Sequence, residues 1–125
     1  MLFRSSPLSP PQYLGAESKV SNSIILSGSE INGTVENSIL SSNVIVKKGA
    51  VVKNSIIMAD VVIDENAVIE YSIIDERTTV GKNAVIGEVK ESGKGIAVIG
   101  RELAVSDGAV VLGGAMIEKN VVKEK

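Results

Sequence analysis

The chain has 125 residues, a formal net charge of −2 and a hydrophobic content of 44%, which suffices for one domain with its own core. The small net charge gives no sign of nucleic-acid binding, and no stretch approaches the ~20 apolar residues of a membrane span. The chain has no cysteine, which excludes disulfides and is compatible with the cytoplasm. We therefore expect one cytoplasmic domain with neither nucleic acid nor a membrane as its partner.

The amino-terminal segment is rich in proline. Pro7, Pro10 and Pro11 disfavour helix and strand pairing, so residues 1–12 are predicted to form an extended linker or a segment that covers an exposed strand edge. The folded domain is predicted at 13–122, followed by a charged tail at 123–125.

The centre of the chain repeats one pattern three times at a spacing of 17 residues. The copies are Thr34-Val-Glu-Asn-Ser-Ile-Leu-Ser-Ser-Asn-Val44, Val51-Val-Lys-Asn-Ser-Ile-Ile-Met-Ala-Asp-Val61 and Val68-Ile-Glu-Tyr-Ser-Ile-Ile-Asp-Glu-Arg-Thr78. A fixed period indicates units that stack on one another and share one continuous core.

Large aliphatic residues recur within each copy at steps of six, six and five residues: Val46, Val52, Ile57, Ile63, Ile69, Ile74, Val80 and Ile86. These steps fit neither a helix nor a hairpin. Two residues before them lie smaller residues, such as Ser55, Val61 and Ala67. Three short flat sides, each with one large and one small inward residue, make a triangular coil. The sequence therefore predicts an all-β parallel β-helix of the hexapeptide type, with about six coils.

Both ends of the repeat region depart from the period. The segment from Lys19 to Ile25 lies only 15 residues before its next copy, so the second coil is two residues short, and Gly33 is predicted to take the tighter corner. Leu14, Val20 and Ile25 are expected to point inward in the first coil. Residues 88–95 are predicted to project as a loop. The step of six residues resumes at Ile99, Val105, Val111 and Ile117, preceded by Leu103, Ala109, Ala115 and Val121.

Some apolar residues fall at positions that the coil does not bury, notably Ile39, Ile56, Met58 and Ile73. An apolar stripe on a flat sheet indicates contact with another domain or subunit. The carboxylates between Asp60 and Glu76 fall instead at corners and outward positions, where solvated charges keep strand edges from pairing.

The pattern resembles the left-handed hexapeptide family, and the expected hand comes from this resemblance. More specifically, the segments Tyr13-Leu-Gly15, Lys19-Val-Ser-Asn-Ser-Ile-Ile25, Gly33-Thr-Val-Glu-Asn-Ser-Ile-Leu40, Lys48-Gly-Ala-Val-Val-Lys-Asn-Ser-Ile-Ile-Met58 and Gly95-Ile-Ala-Val-Ile-Gly100 are similar to the C-terminal domain of bacterial glucose-1-phosphate adenylyltransferases. The resemblance runs from Pro11 onward. It implies a regulatory and assembly domain whose partners are an N-terminal catalytic domain and other subunits, in a homo- or hetero-oligomer that serves glycogen synthesis.

The resemblance also implies where the chemistry lies. Many hexapeptide-repeat proteins are acyltransferases with a histidine base, and others are carbonic anhydrases with histidine-bound zinc. This chain has no histidine and no cysteine, so the commonest general base and the usual zinc ligands are missing. We predict no catalytic residue, metal site or cofactor in this chain and no turnover by the chain alone. Magnesium is expected in the separate catalytic domain.

Two alternative functions remain open from the sequence. The chain is also compatible with the β-helix domain of another sugar-phosphate nucleotidyltransferase, such as a mannose-1-phosphate guanylyltransferase, or with a free-standing β-helix scaffold. Within the adenylyltransferase family, the sequence does not distinguish a catalytic from a regulatory subunit.

An effector site is predicted around Arg101. The segment from Gly95 to Gly108 is similar to the family's activator segment, in which a lysine holds the position of Arg101. The family's activators are phosphorylated sugars and related anions, and arginine binds phosphate through paired hydrogen bonds. Lys94 on the predicted loop is expected to converge on Arg101, and Lys82 is a weaker candidate. The other interpretation is a solvated arginine that pairs with Glu102.

Overall fold

The computed structural model describes residues 13–16, 18–87 and 95–120, which form eighteen short strands. Three parallel sheets contain six strands each, and each coil contributes one strand to each sheet. The fold is the predicted all-β, left-handed parallel β-helix. The predicted linker or cap at 1–12, the loop residues 88–94, the inward position Val121 and the tail at 123–125 lie outside the described residues.

The strands are two or three residues long because each flat side must turn within about six residues. The first sheet contains β1 (Tyr13–Leu14), β4 (Glu30–Ile31), β7 (Ile45–Val46), β10 (Val62–Ile63), β13 (Thr79–Val80) and β16 (Ala104–Val105). The second sheet contains β2 (Lys19–Ser21), β5 (Thr34–Glu36), β8 (Val51–Lys53), β11 (Val68–Glu70), β14 (Val85–Ile86) and β17 (Val110–Val111). The third sheet contains β3 (Ile24–Ile25), β6 (Ile39–Leu40), β9 (Ile56–Ile57), β12 (Ser72–Ile74), β15 (Ala97–Ile99) and β18 (Met116–Ile117).

The large inward residues stack in columns along the axis, as the period predicts. Ile63 pairs with Val46 on one side and with Val80 on the other, and all three are buried. Val52, Ile69 and Ile86 form a second buried column. Because each side chain is covered from above and below, the core is a continuous rod of aliphatic groups.

Buried serines join the coils along the third sheet. Ser38 Oγ donates a hydrogen bond to the Glu36 carbonyl at 2.7 Å and accepts one from the Ser55 amide at 3.1 Å. Ser55 Oγ repeats the arrangement, donating to the Lys53 carbonyl at 2.8 Å and accepting from the Ser72 amide at 3.2 Å. Each hydroxyl thus satisfies two backbone groups that the sharp corner leaves without a ladder partner.

The first coil differs from the prediction. Leu14 and Val20 lie in register with buried Ile31 and Val35, yet both are exposed, and Ile25 is only half-buried. The reason is that the strands of this coil are the terminal strands of their sheets, so their inward side chains are covered by a neighbouring coil on one side alone.

The corners of the coils use left-handed backbone conformations, which the sequence analysis did not anticipate. Ten described residues other than glycine have positive φ, and seven of them are Asn or Asp: Asn22, Asn37, Asn43, Asn54, Asp60, Asn66 and Asn83. This conformation costs an ordinary L residue roughly 1–2 kcal/mol, and Asn and Asp tolerate it best. The frequent Asn residues before Ser or a small residue therefore mark corners.

Tyr71 is the exception in one such column. It has a φ of 50°, like Asn22, Asn37 and Asn54 at the equivalent corners of other coils. We expect Tyr71→Asn to stabilise the chain by about 1 kcal/mol and Asn54→Ala to destabilise it by a similar amount, because only Asn fits this backbone well. Urea unfolding followed by circular dichroism measures both. A loss of stability in Tyr71→Asn would show that packing of the ring outweighs the backbone strain.

Candidate functional site

A notch interrupts the edge between the first and second sheets. The register pairs Leu14 with Ile31 but Lys19 with Thr34, so the corner of the second coil has two residues where the corners before and after it have four. The prediction of a short second coil is thereby confirmed. The missing pair leaves a depression between the full corners of the first and third coils, which we call the corner notch.

Two contiguous cavities make up the corner notch, one of about 500 Å³ on the side of the first sheet and one of about 630 Å³ on the side of the second. Asn32, Lys48 and Glu65 line both. The other lining residues are Ala16, Lys19, Glu30, Gly33, Thr34, Ile45, Lys47, Gly49 and Asn66. The volumes lie in the range of small-molecule sites.

The floor of the notch is fixed backbone. A Cβ on Gly33 would meet the carbonyl oxygens of Ala50 and Lys47, so no larger residue fits here without a shift of the next corner. The Thr34 amide donates to the Ala50 carbonyl at 2.9 Å, and the Lys19 amide donates to the Gly33 carbonyl at 3.0 Å. The short corner is therefore held from both sides.

The charges around the notch balance. Lys19, Lys47 and Lys48 contribute three positive charges, and the carboxylates of Glu30, Asp64 and Glu65 contribute three negative ones. Lys47 Nζ lies 3.9 Å from Asp64 Oδ1, a half-exposed pair. The side chain of Lys19 makes no hydrogen bond or ion pair with any other described residue. A neutral, mixed set of charges suits a small ligand with both donors and acceptors.

The second feature is a row of apolar side chains on the outer face of the third sheet. The register links Ile24, Ile39, Ile56, Ile73, Val98 and Met116 in one line. Each of them is exposed or half-buried. At roughly 4.8 Å per strand the row is about 24 Å long. We call it the outer aliphatic stripe.

The sequence found only the middle of this stripe. Ile39, Ile56 and Ile73 are part of it, and Met58 lies beside it, half-buried. Ile24 and Met116 were missed because they lie in coils where the spacing to the next copy is 15 or 25 residues instead of 17. The pairing of two isoleucines before the inward position of each third side is the signal that identifies Ile24.

The structure places the predicted effector residues on different corners. Arg101 is exposed between β15 and β16, at the corner from the third to the first sheet, whereas Lys82 is exposed between β13 and β14, at the corner from the first to the second. These two cations are therefore not brought together. Lys94 lies outside the described residues, so its convergence with Arg101 stays a prediction.

Glu102 pairs with a different arginine from the one considered in the sequence analysis. Arg77 Nε and Arg77 Nη2 each lie 2.9 Å from Glu102 Oε2, and Arg77 Nη1 lies 3.5 Å from Glu76 Oε1. The pairing is possible because Arg77 and Glu102 occupy equivalent corners of successive coils, where the Glu102 amide donates to the Glu76 carbonyl at 2.8 Å. No ion pair joins Arg101 to another described residue.

Neither a metal site nor a membrane span is found in the described part of the chain. Residues 13–16, 18–87 and 95–120 bring together no group of three or more His, Cys, Asp or Glu side chains that could hold a metal ion. Within the same ranges, no helix has the length and apolarity needed to cross a bilayer.

Comparison with known proteins gives one family match and several partial relatives. Residues 11–98 match the family model described as "GlmU-like, C-terminal hexapeptide". Glucose-1-phosphate adenylyltransferases from Clostridium botulinum and Geobacillus stearothermophilus are 41% and 43% identical over 51 residues, which is 41% of this chain and 13% of each relative. The chain thus matches a small part of these curated relatives, and the match is shorter than the predicted resemblance from Pro11 onward.

Solved structures show the same fold at low identity. The acetyltransferase domain of PglB from Neisseria gonorrhoeae, in complex with acetyl coenzyme A, has a TM-score of 0.71 at 22% identity over 88% of this chain and 55% of that one. A mutant GDP-perosamine N-acetyl transferase from Caulobacter crescentus, in complex with CoA and GDP-perosamine, has a TM-score of 0.74 at 19% identity over 87% of this chain and 51% of that one.

Proposed function

We propose, from the premise that this chain belongs to the GlmU-like C-terminal hexapeptide family, that it is the assembly and regulatory β-helix of a glucose-1-phosphate adenylyltransferase. In this proposal the chain contributes no reacting group. It docks a catalytic domain or a second subunit through the outer aliphatic stripe, while the nucleotidyltransferase chemistry, with its magnesium, takes place in the separate catalytic domain.

The stripe is the observation that carries the proposal. Six aliphatic side chains in unbroken register present an apolar band to solvent, and bands of this kind on soluble proteins mark contact surfaces. The band is flat and rigid because every strand beneath it is fixed by the stacked core. A docking surface of this form needs little ordering on binding, which lowers the cost of association.

Acyl transfer is less well supported as the function. The acetyltransferases of the same fold are at most 22% identical to this chain, so they speak for the architecture alone. The 125 residues contain no histidine to act as the general base expected of an acyltransferase of this type. The partial relatives with identities above 40% are adenylyltransferases, and this supports the nucleotidyltransferase assignment.

The effector role of Arg101 is part of the proposal. Its guanidinium is exposed and unpaired among the described residues, so it is available to a phosphorylated activator held partly by another domain. Lys82, on another corner, would have to act at a separate point of contact. In the complete enzyme, Arg101→Ala should weaken the response to activator, and an unchanged response would remove this residue from the site.

Sedimentation velocity of the 125-residue chain tests the stripe. We expect the wild-type chain to self-associate as its concentration rises, and Ile56→Lys to shift it towards monomer, because a charge in the centre of the stripe must be desolvated on docking. Val85→Lys is the matched control. Val85 is 38% exposed on the second sheet, compared with 40% for Ile56, and its substitution should leave the association unchanged.

Two outcomes separate the parts of this proposal. A chain that stays monomeric at all concentrations would contradict self-association through the stripe and leave docking to a catalytic domain. A chimaera that carries this chain in place of the matching region of the Geobacillus stearothermophilus enzyme tests that docking. Loss of assembly in the Ile56→Lys chimaera, with retention in Val85→Lys, supports the proposal, and equal assembly in both contradicts it.

A further inference from the structure

We propose that the corner notch binds a small phosphate monoester that also carries hydroxyl groups. The notch is separate from the outer aliphatic stripe, since it lies on the edge between the first and second sheets, and from Arg101, which lies on the corner between the third and first. The inference therefore does not depend on the assembly role proposed above.

The cations are placed to meet over the floor of the notch. Lys19 belongs to the first coil and Lys48 to the third, and Thr34 of the short second coil lies between them. Two strand spacings separate their backbones by roughly 10 Å along the axis. Each flexible four-carbon side chain carries an ammonium group with three donors, so both can reach an anion seated above Thr34. The Thr34 hydroxyl supplies a further donor.

The balance of charge selects the class of ligand. The three lysines around the notch are matched by three carboxylates, which disfavours a polyanion such as a nucleic acid or an anionic membrane. A ligand with one anionic end satisfies Lys19 and Lys48. Its hydroxyl groups can donate to the carboxylates of Glu30 and Glu65 and to the amide oxygen of Asn32, which line the side towards the first sheet.

Depth distinguishes this corner from the others. Every other described corner between these two sheets has the full number of residues. At the notch the two missing residues open a cavity of about 500 to 630 Å³, whose floor at Gly33 cannot be filled because the Ala50 and Lys47 carbonyls occupy the space. The shape is therefore a property of the backbone and survives changes in the lysines.

Backbone amide shifts of the full 125-residue chain, measured by NMR at constant ionic strength, provide the test. The probes are glycerol 3-phosphate, inorganic phosphate and glycerol. We expect saturable shifts at Gly33, Thr34 and Gly49 with glycerol 3-phosphate, weaker binding of inorganic phosphate and no binding of glycerol. Lys19→Ala should weaken binding about tenfold or more, since it removes a charge-assisted hydrogen bond. Lys53→Ala, on the second sheet outside the notch, should leave it unchanged.

A second variant removes the notch without removing a charge. Insertion of Asn-Gly between Asn32 and Gly33 restores the full corner and keeps the pattern that the other coils already use, so the fold should be retained and binding lost. Shifts spread over exposed lysines in all three sheets, or undiminished binding by the insertion variant, would overturn the proposal. Equal affinity for inorganic phosphate and glycerol 3-phosphate would overturn the role given to Glu30 and Glu65.

Discussion

Ile63→Ala is expected to lower the free energy of unfolding by roughly 2–5 kcal/mol, the range for truncating a large aliphatic side chain in a packed core. Ile63 is 0% exposed and is stacked between Val46 and Val80 in the central coils. Both neighbours are held by their own coils and cannot collapse into the space, so a cavity remains. Chemical denaturation followed by circular dichroism measures the loss.

The control is Glu65→Ala, at an exposed corner two residues away. Its carboxylate points into solvent at the rim of the notch, and substitutions at such sites usually change stability by less than about 0.5 kcal/mol. An equal loss of stability in the two variants would contradict the inward and outward assignment on which the coil register rests.

Gly33→Ala is the second change expected to have a large effect. The added methyl group would press on the carbonyl oxygens of Ala50 and Lys47, which are fixed backbone atoms. Forcing an extra carbon into a close-packed site costs typically about 1–3 kcal/mol, and we expect the upper part of that range. The hydrogen bond from the Thr34 amide to the Ala50 carbonyl, now 2.9 Å, should lengthen, and amide hydrogen exchange at Thr34 should accelerate.

Gly100→Ala is the matched control. A Cβ on Gly100 would lie 3.2 Å from the Ile117 carbonyl oxygen, a tight contact that a small shift relieves, so the expected loss is at most about 1 kcal/mol. If Gly33→Ala unfolded at the same denaturant concentration as the wild-type chain, the corner at 47–50 would have room to move and the floor of the notch would not be rigid.

Tertiary structure corrected or extended the sequence predictions at particular places. The inward positions Leu14 and Val20 are exposed because the first coil is stacked on one side only. Glu102 pairs with Arg77 and not with Arg101, since the spacing of 25 residues between equivalent corners spans the interruption at 88–94. Neither fact is visible in a local pattern, because each depends on what the neighbouring coil brings to the same level.

The sequence by itself determined the coil. A triangular prism admits only a few side-chain sizes at each inward position, and those positions recur at fixed steps, so the core columns and the shortened second coil can be read from the order of residues. The left-handed corners, the full length of the outer aliphatic stripe and the lining of the corner notch were decided by the tertiary structure. The physical reason is that an outward or corner residue has no fixed partner along the chain, and its exposure, conformation and neighbours are set by the register in which successive coils stack.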